Sequence, residues 1–249
     1  MTDADAPIRL ERVSKRFGSF TVLDDVSLEI ARGRATVILG RSGTGKSVML
    51  KHIVGLLAPD SGRVLVLGQD LTGLSASAMS SVRQQVGFLF QNAALFDSLT
   101  VGDNVAFPLR RHTRLSDTEI RKRALEKLAL VGLERDYEKM PAALSGGMRK
   151  RAGLARAMVL DPAILLVDEP SAGLDPITSQ EIDDLLVGVK RDLGTSLVVV
   201  THNIPSARRI GDTLLFLHQG QVLARGTVTE LERSEHELVR HFLASESGG

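Results

Sequence analysis

The sequence predicts an α/β fold: a largely parallel sheet core with an antiparallel β part and a helical subdomain. Three observations predict it. Apolar runs of strand length alternate with segments of helical period, the pattern of a sheet crossed by helices. A glycine-rich loop, Gly40–Ser47, sits between one such run and one such helix. Between Asn92 and Leu144 the chain becomes mainly helical in pattern, as an insertion would.

The elements follow in order. Ile8–Val13 and Val26–Ile30 alternate apolar and polar residues and read as half-buried strands. Ala35–Leu39 is short and mostly apolar, which suits a buried parallel strand. Ser47–Leu57 places Val48, Leu50, Ile53, Val54 and Leu57 at helical spacing, and Ala58–Gly62 is a turn cluster. Arg63–Leu67 and Val86–Phe90 are further strands. Ser116 and Glu119 form a capping box for a helix whose face is Ile120, Ala124, Leu128 and Val131, ending at Gly132. A helix is expected over Gly147–Val159, a strand over Ala163–Val167, a helix over Ile177–Leu193 and a strand over Ser196–Val200. Leu214–Leu217 and Val222–Ala224 read as a hairpin joined by Gln219–Gly220. Val228–Phe242 reads as helical, and Ser245–Gly249 is expected to fray. The whole, 1–249, reads as a single domain, with a core of 1–91 and 160–249 and a helical subdomain of 92–159.

Composition narrows the function. Of 249 residues, 43% are hydrophobic and 24% charged, which excludes a disordered or coiled-coil protein. The net charge of +1 gives no support to bulk nucleic-acid binding. Cysteine is absent, so disulfides and thiol chemistry are excluded. No stretch reaches the ~18 apolar residues of a membrane helix, and Met1–Pro7 lacks a signal pattern. A cytosolic chain is expected, with any membrane role reached through a partner. The six His show no metal-binding spacing.

Gly40-Arg41-Ser42-Gly43-Thr44-Gly45-Lys46-Ser47 fits the phosphate-binding pattern G-x-x-x-x-G-K-[ST]. Its glycines let backbone N–H groups approach phosphate oxygens, and the next helix adds the positive end of its dipole. Lys46 brings a charge to the terminal phosphates, and Ser47 a hydroxyl for Mg²⁺. Ile164–Val167 ends in Asp168 and Glu169: Asp168 suits Mg²⁺, and Glu169 suits orienting or deprotonating a water. Gln91, after another strand, is a weaker ligand for Mg²⁺ or water. Ser145-Gly146-Gly147, opening a helix, can meet an anion or act as a plain N-cap. The basic run Arg149–Arg151 reads as a solvated helix face. His202, just beyond a strand end, points to the ligand side of the sheet.

Taken together, these residues resemble the ATP-binding cassette (ABC) family over almost the whole chain. The Gly40–Ser47 loop, Gln91, Ser145–Gly147, Asp168-Glu169, Ser171-Ala172-Gly173-Leu174-Asp175 and His202 occur in that family's order. The resemblance implies an ABC-type P-loop ATPase working with ATP and Mg²⁺ as a head-to-tail homodimer. Each ATP would lie between one subunit's phosphate loop and the other's Ser145–Gly147, with Asp175 at the seam. Lys46, Glu169 and His202 would be catalytic, His202 touching the γ-phosphate. Ser47, Gln91 and Asp168 would hold the metal. Phe17 falls where the family stacks an aromatic on adenine, and it also reads as a strand-end core residue.

Residues 94–101 (ALFDSLTV) and 104–110 (NVAFPLR), Met148 after Leu144–Gly147, and the run Ala172–Ile177 are similar to ATPases of bacterial phospholipid transporters of the Mla and Mce type. This implies lipid movement between membranes of the cell envelope, driven from the cytoplasmic face of the inner membrane. A membrane permease would dock near residues 92–110, where Leu95, Phe96 and Phe107 either form an apolar groove or fill the helical subdomain. An Mce-domain lipid-binding protein and a small regulatory subunit are further implied partners. The alternative is the ATPase of an importer for a small polar solute. A switch acting on DNA or ribosomes is disfavoured by the single cassette and the small net charge, and no nucleic-acid partner is expected.

Overall fold

The structure, a computed structural model, describes residues 6–245. The readings of Met1–Pro7 and Ser245–Gly249 fall largely on residues outside this range.

Two sheets and the helices enclose two hydrophobic cores, one on each face of the larger sheet. The larger has the order β10-β9-β3-β8-β7-β6. Its strands β9 (Thr213–His218), β3 (Ala35–Leu39), β8 (Ser196–Val200), β7 (Ile164–Asp168) and β6 (Val86–Leu89) run parallel. β10 (Gln221–Gly226) closes one edge antiparallel to β9. The smaller sheet is antiparallel, in the order β2-β1-β4-β5, from β1 (Ile8–Phe17), β2 (Phe20–Ile30), β4 (Ser61–Val66) and β5 (Gln69–Asp70).

The central strands are buried on both faces, which parallel strands require. Because side chains alternate, each strand feeds two cores. Val37, Leu165, Val167, Leu197 and Val199 face the helices α3 (Val101–His112), α4 (Asp117–Leu130), α5 (Gly146–Met158) and α6 (Pro176–Leu193). Ile38, Ile164, Leu166, Val198 and Val200 face the second sheet and α1 (Lys46–Ile53).

Several elements differ from the expectation. β1 and β2 are longer, because irregular register between Leu10 and Arg16 breaks the alternation that a period-two reading needs. α2 (Ala76–Gln84) is serine-rich and buries only Val82, so it has almost no apolar face. α3 carries Pro108 inside it, a residue that reads as a breaker. α7 (Ile204–Ile210) is short, with Asn203 as its cap. The helical C-terminal stretch expected over Val228–Phe242 is made of two helices, α8 (Val228–Glu232) and α9 (Glu237–Ala244). At the break, Ser234 Oγ accepts from the His236 N–H, and Arg240 Nη1 donates to the carbonyls of Ser234 and Glu235. These side chains satisfy backbone groups that the interrupted helix releases. No described helix is long and apolar enough to cross a membrane.

Candidate functional site

The strand ends aim four segments at one cleft. β3 runs into the Gly40–Ser47 loop, β6 reaches Gln91, β7 ends at Asp168, and β8 leads through Thr201 to His202. The cleft has a volume of about 640 Å³, and its walls include Phe17, Lys46, Ser47, Gln91, Glu169 and His202. A ligand site at the carboxyl ends of parallel strands is the general rule for such sheets.

The loop has the shape that phosphate binding needs. Gly45 caps α1 at φ 102, and a Cβ there would stand 2.6 Å from the Val22 carbonyl oxygen. Only glycine fits. Lys46 is 6% exposed and donates to the carbonyls of Gly40 (2.8 Å) and Arg41 (2.9 Å). Burial pushes its ammonium pKa down, while the nearby Glu169 and Asp168 carboxylates push it back up. Thr44 Oγ1 donates to the Arg41 carbonyl at 2.9 Å and tightens the turn.

Ser47 Oγ donates to Asp168 Oδ1 at 3.0 Å. Burial pushes the Asp168 carboxyl up, and that hydrogen bond opposes it. A hydroxyl and a carboxylate in contact are a hard oxygen pair of the kind Mg²⁺ takes beside phosphates and water. Gln91 lies two residues past β6, is exposed, and adds an amide oxygen to the same cleft.

Glu169 has φ 48, the left-handed region that a non-glycine residue occupies only when its surroundings hold it. Its N–H donates to the Val200 carbonyl at 2.8 Å. Its Oε2 accepts from Thr201 Oγ1 (3.3 Å) and lies 3.0 Å from His202 Nδ1. His202 is otherwise open to the cleft, its side chain 62% exposed. Phe17, at the end of β1, is 49% exposed on the cleft wall. Its core alternative is therefore corrected: a half-exposed ring at a strand end is available for stacking.

Ser145, Gly146, Gly147 and Asp175 are not part of this wall. They form a second cluster where two helices begin. Ser145 caps α5 by accepting from the Met148 N–H, and Asp175 caps α6 by accepting from the N–H groups of Ile177 and Thr178. A Cβ on Gly147 would stand 2.4 Å from Thr178 Cγ2, so α5 and α6 meet at their starts without room for a methyl group.

The basic run Arg149–Arg151 is only in part the solvated face expected of it: Arg149 is exposed and Arg151 half-buried, but Lys150 turns inward. Lys150 is 6% exposed, with Nζ bonded to three backbone carbonyls, and Arg149 Nη1 donates to the Leu144 carbonyl at 2.6 Å. Charge runs in sequence carry no sign of which member turns inward.

The 92–110 segment does both things expected of it: Val101, Val105, Ala106 and Leu109 are fully buried in the helical core, while two aromatic rings stay at the surface. Phe96 and Phe107 are 44% and 42% exposed, with ring centroids 4.9 Å apart. With Phe88, Phe90, Pro108 and Arg156 they line a groove of about 360 Å³. Leu95 is half-buried against the helical core.

Comparison with known proteins bears on this arrangement. A protein-family model described as ABC transporter matches residues 23–172. The probable ribonucleotide transport ATP-binding protein mkl of Mycobacterium leprae is 44% identical over 95% of this chain and 68% of its own length. The chain thus spans about two thirds of that relative. The intermembrane phospholipid transport system ATP-binding protein MlaF of Haemophilus influenzae is 39% identical, covering 97% of this chain and 92% of its own. A solved dimeric ATP-binding cassette in a post-hydrolysis state with ADP and Pi matches with TM-score 0.82 and 36% identity, over 89% of this chain and 98% of that one.

Proposed function

The chain belongs to the ABC transporter family, and from that premise we propose that it is the ATP-hydrolysing subunit of a membrane transporter moving phospholipid or a related lipid between membranes of the cell envelope. The observation that carries the ATPase part is the cleft joining Lys46, Ser47, Glu169 and His202, with Asp168 hydrogen-bonded to Ser47 at its floor. The lipid part is supported by the MlaF relative, whose length the chain nearly matches.

In this reading the loop amides and Lys46 bind the ATP phosphates, exchanging the Gly40 and Arg41 carbonyls for phosphate oxygens. Ser47 and Asp168, with Gln91 nearby, would hold Mg²⁺, which would neutralise charge on the phosphate oxygens. Glu169 orients the attacking water and takes its proton. His202 bridges Glu169 and the γ-phosphate, and Phe17 stacks on the adenine. The split between the two clusters supports a head-to-tail homodimer. The Ser145–Gly147 cluster with Asp175 completes the cleft of a second subunit, as each cleft alone leaves phosphate charge uncovered. The dimeric cassette structure supports the same assembly.

The groove of Phe88, Phe90, Phe96, Phe107 and Pro108 suits an apolar helix of a membrane permease, which would hold the chain at the cytoplasmic face of the inner membrane. An Mce-domain lipid-binding protein and a small regulatory subunit complete the proposed assembly. A second reading, import of a small polar solute, is favoured by the printed name of the mkl relative. Mild-detergent capture of the tagged chain from its native membranes, with protein identification and lipid extraction, separates the two. Phospholipid with a permease and an Mce-domain protein supports the first; a solute-binding protein without enriched lipid supports the second.

A further inference from the structure

Lys150 leaves the surface of α5 and enters the interior. Its Nζ donates to the carbonyls of Glu169 (3.1 Å), Pro170 (2.7 Å) and Ala172 (2.8 Å). An ammonium has three N–H donors and no acceptor, and here each donor has its own carbonyl. All three carbonyls belong to one turn, which starts at Glu169 in its left-handed conformation. That turn has further ties: the Glu169 N–H donates to the Val200 carbonyl, the Glu169 carboxylate meets Thr201 and His202, Ser206 Oγ donates to Ser171 Oγ, and internal bonds run from Ala172 N–H to Glu169 and from Leu174 N–H to Ser171. The Glu169 carbonyl also accepts from the Ala172 N–H, whereas Lys150 is the donor to the Pro170 and Ala172 carbonyls, and buried carbonyls stripped of their donor are costly. Burial pushes the Lys150 pKa down to about 8, with Glu169 pulling the other way, and the ammonium stays charged at neutral pH.

The helix that carries Lys150 begins at Ser145–Gly147. We propose that Lys150 is a positioning residue that ties the Glu169–Ala172 turn to α5, so that the place of the Glu169 carboxylate follows the place of the helix start. The inference rests on the head-to-tail reading. Under it, α5 of one subunit touches the ATP held by the other, while Glu169 of the same subunit serves its own ATP. Lys150 then links the two ATP sites through a single side chain.

The test uses steady-state ATP hydrolysis by the full chain, with thermal unfolding, for K150M and K150R. Each variant is also made with E169Q, and ATP-dependent dimers are read by size exclusion. K150M keeps the aliphatic stem and loses every donor, so kcat falls about tenfold or more while KM for ATP stays within about twofold. K150R keeps cationic donors and recovers to within about threefold of the unmodified chain. The dimer with E169Q persists in both. If K150M fails to fold, K150Q retains two donors and shows the same split with a loss of about threefold. Three results overturn the proposal: kcat of K150M within twofold of the unmodified chain, K150R as slow as K150M, or kcat, KM and unfolding temperature of K150M all worsening together. If E169Q alone forms no dimer with ATP, the head-to-tail reading fails instead. The kcat-against-KM split still decides whether Lys150 positions Glu169.

Discussion

His202 Nδ1 lies 3.0 Å from Glu169 Oε2, joining the segments that follow β8 and β7. Thr201 Oγ1 reaches the same oxygen at 3.3 Å. One carboxylate oxygen is thus occupied by neighbours, leaving the other for water.

Removing the imidazole leaves the Glu169 carboxylate with Thr201 and, in the proposed mechanism, deletes the γ-phosphate contact. H202A is expected to lower kcat roughly 10- to 100-fold with a smaller change in KM, measured by steady-state hydrolysis. Turnover near that of the unmodified chain would remove His202 from the catalytic set.

Replacing Glu169 by Gln keeps its size and its hydrogen bond to Thr201 but removes the proton acceptor. We expect E169Q to lose at least about 100-fold in kcat while still binding ATP and accumulating a closed dimer. Equilibrium binding of a fluorescent ATP analogue and light scattering report the two effects.

In the proposed mechanism Lys46 supplies the charge that meets the terminal phosphates. K46A should abolish measurable hydrolysis and weaken ATP binding by about tenfold or more, as read by calorimetry. Unchanged affinity would show that the loop amides alone hold the nucleotide.

Asp183, 3% exposed on α6, has Oδ1 buried without a partner, and burial pushes its carboxyl up from 3.8 to about 6. The protonated form is therefore favoured by folding. The stabilisation is full below about 4 and is lost as pH rises through about 6, up to about 3 kcal/mol across that window. Urea unfolding at pH 4.5 and 7.5 should show D183N flattening the difference and gaining stability at the higher pH. An unchanged pH slope in D183N contradicts the assignment.

A charge in the Phe96–Phe107 groove should repel an apolar helix. F96D is expected to cut recovery of the membrane partner at least about tenfold in the native pull-down, while E169Q recovers it fully. Equal recovery with F96D would move the docking surface elsewhere.

The phosphate loop was legible because its chemistry fixes both residue types and spacing. Asp168, Glu169 and His202 were legible because apolar strands announce their own ends. Among the long helices, α4 carried a capping box and a periodic apolar face, and α5 its Ser145 N-cap. What escaped had no such mark. α2 buries one residue, α3 hides a proline, and the bulges in β1 blur its alternation. Lys150 escaped for a different reason: its partners are carbonyls of a turn far along the chain, and backbone acceptors leave no trace in residue type. The split of the site into two clusters also follows from the meeting of α5 and α6, a tertiary fact.

The alternation of β3, β7 and β8 between two cores reaches beyond packing. These strands end in the phosphate loop, the acidic pair and His202, so their register sets how far each group projects into the cleft. A single-residue insertion or deletion in any of them would exchange its two apolar faces and shift its catalytic tip by about 3.3 Å together. Fold and catalysis therefore fail as one, and the site has no tolerance for length change in its strands, whatever freedom its surface loops retain.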